Sequence, residues 1–170
     1  MKLAARLTCL SILRVARERR GAAAVEFAVV GSVFLLLLLL ALEFGLILFT
    51  QAALDNATAE ASRLIMTGQS GGASQTAFTA AVCSQLGGLV PCSSIQVDVQ
   101  SATSFASLTP SGTGAGGLAT TGYAPGGAGA DVLVQVAYPR PFVIPWIGEA
   151  LGLGSTFTLL STAAFQSEPY

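Results

Sequence analysis

The 170-residue chain has no histidine and a single lysine, Lys2, and only 10% of its residues are charged. Without histidine, the usual base that activates a serine or cysteine nucleophile is missing, as is the commonest nitrogen ligand for zinc. Beyond residue 20 the only basic side chains are Arg63 and Arg140, set against eight acids for a net charge of −6. A nucleic-acid binder needs a basic face, so that class is excluded. Three cysteines, Cys9, Cys83 and Cys92, show no CxxC spacing, and no metal site is expected. Glycine is plentiful, but it forms no phosphate loop or dinucleotide fingerprint. The sequence therefore predicts no enzyme, no cofactor and no small-molecule substrate.

What the chain has in quantity is apolar surface, at 52% hydrophobic residues. Its charge is segregated. Residues 1–20 carry Lys2, Arg6, Arg14, Arg17, Arg19 and Arg20 against Glu18, a net of +5. A basic flank before an apolar span holds that flank in the cytoplasm and sends the remainder out. From Phe27 to Phe49 one charge, Glu43, interrupts the apolar run, whose middle is six leucines, Leu35 to Leu40. These residues make about 34 Å of helix, enough to cross a hydrocarbon core of about 30 Å. Before them, a weak amphipathic pattern of leucines among arginines suits a basic interfacial helix. The one small-residue cleavage site, Gly21-Ala22-Ala23, precedes the apolar run, opposite to the order of a secretory signal.

Two acids stand in or beside the span. A charge at a bilayer centre costs about 2.5–3.5 kcal/mol on insertion scales, so each is a functional candidate. Glu26 falls at the inner boundary, and Glu43 about 25 Å further along the helix, near the outer one. Seventeen helical steps set them on faces about 100° apart, so they form no carboxylate pair. The helix continues past the span, with Leu54, Ala57, Ala61 and Leu64 at helical spacing and Glu60 placed to pair with Arg63. Gly68, followed by Gly71 and Gly72, is the first stop signal. An alanine-rich outer half of this kind fits close packing, against other helices or under the chain's own globular head.

Residues 69–74 read as a linker. Thr76 to Leu86 reads as a short helix with Phe78, Val82 and Leu86 on one face. Cys83 and Cys92 lie beyond the span, where oxidation is permitted, and are expected to form a disulfide, with unpaired buried thiols as the alternative. Ile95, Val97 and Val99 alternate in one strand and Val132, Val134, Val136 and Tyr138 in a second. Thr156 to Phe165 makes a third, the most apolar and hence the expected centre of a three-stranded antiparallel sheet. Asp98 and Asp131 read as solvated acids on or beside exposed strand faces. Residues 109–130, with eight glycines and two prolines, read as a flexible or partly ordered loop. The segment Pro139 to Gly148 is apolar but too rich in proline for a strand interior, and reads as a cap over the core or a partner-facing patch. The expected class is an α+β membrane protein: leader 1–21, long helix 22–67 spanning the membrane at about 27–49, and a periplasmic domain at 68–170.

The residues around the leader carry a resemblance. Arg20-Gly21, followed by Ala22-Ala23-Ala24-Val25-Glu26-Phe27 and the apolar run, resembles the type IV pilin superfamily, and most closely the TadE-like pseudopilins of tight-adherence (Flp-type) pilus systems. Ala41-Leu42-Glu43-Phe44-Gly45, the stretch from Leu54 to Arg63, and the Cys83, Cys92 and Ser167-Glu168-Pro169-Tyr170 segments are similar to further TadE-like landmarks. The resemblance implies cleavage after Gly21 by a prepilin peptidase, with Ala22 as the new N-terminus, and recognition through Arg20, Glu26 and Phe27. Ala22 stands where classical pilins carry phenylalanine or methionine, which leaves N-methylation open. The implied role is a minor pseudopilin of a bacterial inner membrane that takes part in pilus assembly for cell adhesion. It would pack by Glu26 and Glu43 against other pilins, the assembly platform and lipid. The alternatives are an unprocessed single-pass envelope protein with a periplasmic binding domain, and a pseudopilin of a type II secretion machine.

Overall fold

The computed structural model describes residues 19–69, 74–150 and 152–169. The expected interfacial helix and most of the leader, Gly71 and Gly72, most of the linker, and Tyr170 lie outside the described residues. The chain divides into two compact units with the boundary between Phe44 and Gly45.

Helix α1 runs from Arg19 to Met66 without interruption. It ends where the glycine signal stands: Gly68 adopts φ 65°, and the N–H groups of Gly68 and Gln69 return to the carbonyls of Ile65 and Leu64. A glycine there meets no Cβ penalty in the left-handed region, and the returning bonds satisfy carbonyls that the helix leaves open. Over its first unit the helix exposes its apolar side chains, Phe27 at 79% and Leu35 at 60% among them. It is long and apolar enough to cross a membrane. A soluble core helix of this composition would bury these groups, so the chain is a membrane-anchored protein.

In the second unit the last turns of α1 bury a stripe of Leu54, Ala57, Thr58, Ala61, Ser62 and Ile65. The expected fourth contact, Leu64, is only half-buried, and Ile65 takes its place. Eleven residues from Leu54 make three turns of helix and return to one face, whereas ten fall short of it. Helix α2, Gln75–Leu86, is capped by the Ser74 hydroxyl on the Ala77 N–H and closed by Gly87 in the left-handed region. Phe78, Val82 and Leu86 are its buried face. Cys83 is joined to Cys92, with Cα atoms 5.8 Å apart, so α2 is stapled to the 3₁₀ turn that opens the first strand.

The sheet is formed by β1 (Gln96–Ala102), β4 (Gly122–Tyr123), β5 (Asp131–Pro141) and β6 (Thr156–Gln166), in the order β4-β1-β5-β6. The three long strands are antiparallel, as expected, and β4 adds a short parallel edge. The central strand is β5, and the apolar β6 lies at the edge, contrary to the sequence reading. The reason is that β5 is covered on both faces and buried nearly throughout, while alternate β6 residues Thr162, Ala164 and Gln166 face solvent. The two prolines expected to exclude a strand are inside β5. Both pair with β6, but the Phe142 N–H bonds to the Ser155 carbonyl on that side, so by alternation the N atoms of Pro139 and Pro141 face the β1 side, where pairing stops at Gln96 with Ala137 and no ladder bond is lost.

One face of the sheet, with Val97, Val99, Val132, Val134, Val136 and Tyr138, closes a core with α1 and α2. Ile95 packs against its margin. The other face is polar, yet its Asp98 and Gln135 are 4% and 2% exposed. The glycine-rich segment covers them. It contains the β2–β3 hairpin (Thr113–Gly114, Gly117–Leu118) and β4, and is an ordered layer of the fold.

Candidate processing and assembly site

Chemistry at the start of α1 depends on how the residues around Gly21 are presented. The backbone is helical as far back as Arg19, so the Gly21–Ala22 bond lies within helix. Ala22, Ala23, Ala24 and Glu26 are exposed, and Val25 and Phe27 are exposed at 64% and 79%. Ala22 and Glu26 are one helical turn apart and share a face. Arg20 lies on the same helix; its side chain falls outside the described residues.

Glu43 differs from Glu26. It is 4% exposed between Leu42 and Phe44, which stand at 60% and 58%, and it is not a free carboxylate. The two acids thus occupy different environments on one helix: Glu26 is presented outward and Glu43 is held within the protein.

The domain has a second polar constellation that the sequence reading missed. Asp98 Oδ2 accepts from the Ser111 hydroxyl at 2.6 Å and from Gln100 Nε2 at 2.7 Å. The Ser111 N–H donates to Gln135 Oε1 at 2.6 Å, and its hydroxyl also meets Thr120 Oγ1 at 2.6 Å. Beside them, Gln96 accepts from the Leu118 N–H and donates to the Gly116 carbonyl. Gly117, at φ 110°, leaves no space for a Cβ against that Gln96 side chain. Buried polar groups need such partners, and here strand side chains supply them to the backbone of a loop that has few side chains of its own. Asp98 and Asp131 are therefore buried, at 4% and 8%, and not solvated. Asp131 Oδ1 has no hydrogen-bond partner among the described residues. The signal available in the sequence was the row Gln96, Asp98, Gln100 on alternate positions, too long and polar to need only water.

Aromatic contacts complete the domain. The Tyr123 ring on β4 lies 6.0 Å from Phe78 of α2, and burial pushes the Tyr123 hydroxyl up from 10.0 to about 12. Among the described residues no group of three or more His, Cys, Asp or Glu side chains is placed to hold a metal ion.

The region that matches known proteins is the helix and not the domain. Residues 21–63 match the family model described as TadE-like protein. No curated protein and no solved structure matches the chain. The match opens at Gly21, runs through Glu26 and Glu43, and ends at Arg63, near the end of α1. TadE-like proteins are pilus components and are not known as enzymes. Over residues 21–63, and there alone, the chain is similar to TadE-like proteins.

Proposed function

We propose that this protein is a minor pseudopilin of a Flp-type pilus, inserted with its N-terminus in the cytoplasm and its domain in the periplasm. A prepilin peptidase cuts between Gly21 and Ala22. The shortened chain then assembles with other pilins on the inner-membrane platform. The observation that carries this reading is the position of Glu26 on an exposed face of α1, one turn beyond Ala22.

The cut would create a cationic α-amine at Ala22 and leave Glu26 as the first acid of the new helix. A carboxylate there complements the helix dipole. Each of the two charges is expensive alone in an apolar bundle, because desolvation is offset only by an opposite partner. The amine of one subunit and Glu26 of the next would therefore favour one axial register over its neighbours. Hydrophobic contact between leucine-rich helices in lipid offers little such selectivity, since lipid tails are as apolar as leucine.

The test is the mature N-terminus, read by intact mass and terminal peptide mapping with and without the cognate peptidase. A terminus at Ala22 that is lost in Gly21→Asp supports the reading, and Glu26→Ala should then be cleaved but fail to co-assemble. A chain still uncut in the presence of active peptidase overturns it and leaves an anchored envelope protein.

A further inference from the structure

We propose that the connection between β5 and β6, described at residues 142–150 and 152–155, is a second membrane-contact site. It seats Val143, Trp146 and Leu153 in the boundary between lipid headgroups and acyl chains, beside the point where α1 leaves the bilayer.

Position is the first argument. Two hydrogen bonds tether the outer part of α1 to the last strand and the residues just after it: Gln51 Nε2 donates to the Leu160 carbonyl, and the Glu168 N–H donates to the Met66 carbonyl, both at 2.9 Å. The interval is about 22 Å along the helix and about 26 Å along the extended chain, so β6 and α1 run side by side in the same direction. The start of β6 therefore points toward Gly45. Thr156 lies about 13 Å before Leu160, on the side of Gln51 that leads toward Gly45. The connection that precedes Thr156 is thus at the end of the domain where α1 exposes Leu46, Leu48 and Phe49.

Construction is the second. Among the described residues of this connection, two sets stand out. Phe142 and Ile147 point inward, at 8% and 4% exposure, and the Phe142 ring stacks at 5.1 Å from Phe157. Helix α3, Pro145–Ala150, is held by the Leu153 N–H on the Gly148 carbonyl, and Gly148 packs with no space for a Cβ against the Gly154 carbonyl and the Phe142 ring. Against this base, Val143, Trp146 and Leu153 are presented outward at 64%, 53% and 52% in the order Val143, Leu153, Trp146. Residues 142–155 contain one charge, Glu149. A rigid apolar surface of this kind would be costly in water.

Continuity names the occupant. The same end of the domain carries the last exposed apolar residues of a helix long and apolar enough to cross a bilayer, so lipid is the surface that would meet both. Tryptophan prefers this interfacial depth, where its ring is buried and its N–H stays near water. The contact holds whether or not the leader is removed.

Trp146 is the only tryptophan in the chain, so its fluorescence reports on this connection alone. The full chain is reconstituted in vesicles of phosphatidylcholine and phosphatidylglycerol, with and without lipid brominated near the top of the acyl chain. The expected result is a blue-shifted emission, quenched by the brominated lipid and shielded from aqueous acrylamide. Emission typical of water, quenched by acrylamide and indifferent to bromine, overturns the proposal. So does emission shielded from both quenchers, which means burial against protein. In a Val143→Asp, Leu153→Asp variant with native β-sheet circular dichroism, acrylamide quenching should rise and bromine quenching fall; no change in either also overturns it.

Discussion

The two parts of α1 are one helix under two solvents. From Ala22 to Leu42 nearly every side chain faces outward, leucine and phenylalanine included, because lipid takes the place of a core. From Thr50 to Met66 the helix is an ordinary amphipathic one, with Leu54, Ala57, Ala61 and Ile65 buried and Asp55, Glu60 and Arg63 in water. Backbone geometry is the same in both. The difference is where the free energy of each half resides: in transfer to lipid for the first, and in packing against Val82, Val134 and their neighbours for the second.

That contrast predicts unequal responses to the same mutation. Leu54→Ala removes a fully buried side chain and should lower domain stability by about 2–5 kcal/mol. Leu38→Ala should leave the domain's transition where it is. Hydrogen exchange of β5 amides in the full chain, held in detergent, reads both; equal effects would show that the two halves do not differ as described.

The disulfide acts on the second region alone. Cys83→Ser with Cys92→Ser should cost the domain about 2–3 kcal/mol, the chain-entropy value for so short a loop. Denaturant unfolding followed by near-ultraviolet circular dichroism measures it, and the helicity of the lipid-facing half should not change.

A smaller effect is expected where the polar face of the sheet meets the glycine-rich layer. Ser111→Ala removes the hydroxyl that joins Asp98 to Thr120, and should cost about 1–3 kcal/mol by leaving a buried carboxylate short of a donor. Faster amide exchange confined to residues 111–120 and the adjoining β1 would localise the loss. Uniform loosening of the whole domain would not fit a latch at this position.

The smallest effect is a pH dependence. The folded Tyr123 hydroxyl has its pKa raised by burial to about 12, above the ordinary 10.0, so its contribution to stability is complete below pH 10. It declines as pH rises from 10 to about 12, because the unfolded chain loses the proton first. Comparing Tyr123→Phe with the parent chain across that window should show a shallower decline in the variant.

Much of this was legible before the structure. The apolar run, the glycine stop after Met66, the buried face of α2 and the core-facing side of β5 all follow from local periodicity. Local rules failed where the answer depended on what lies across the sheet. Asp98 reads as a surface acid because strand alternation points it away from the core, and nothing local says that a glycine-rich segment will cover it. Pro139 and Pro141 read as strand breakers because their tolerance depends on where β1 begins. β6 reads as central from its composition, but centrality is a property of pairing.

Sequence alone therefore determined α1, α2, most of the three long strands, the membrane span and the TadE-like segment, because these depend on hydrophobic spacing and length within a few turns of chain. Tertiary structure decided which acid is buried, which strand is central, and which of the apolar residues at 142–155 face inward. Those outcomes depend on contacts between residues tens of positions apart, such as Ser111 with Gln135 and Gln51 with Leu160, whose partners no local pattern names.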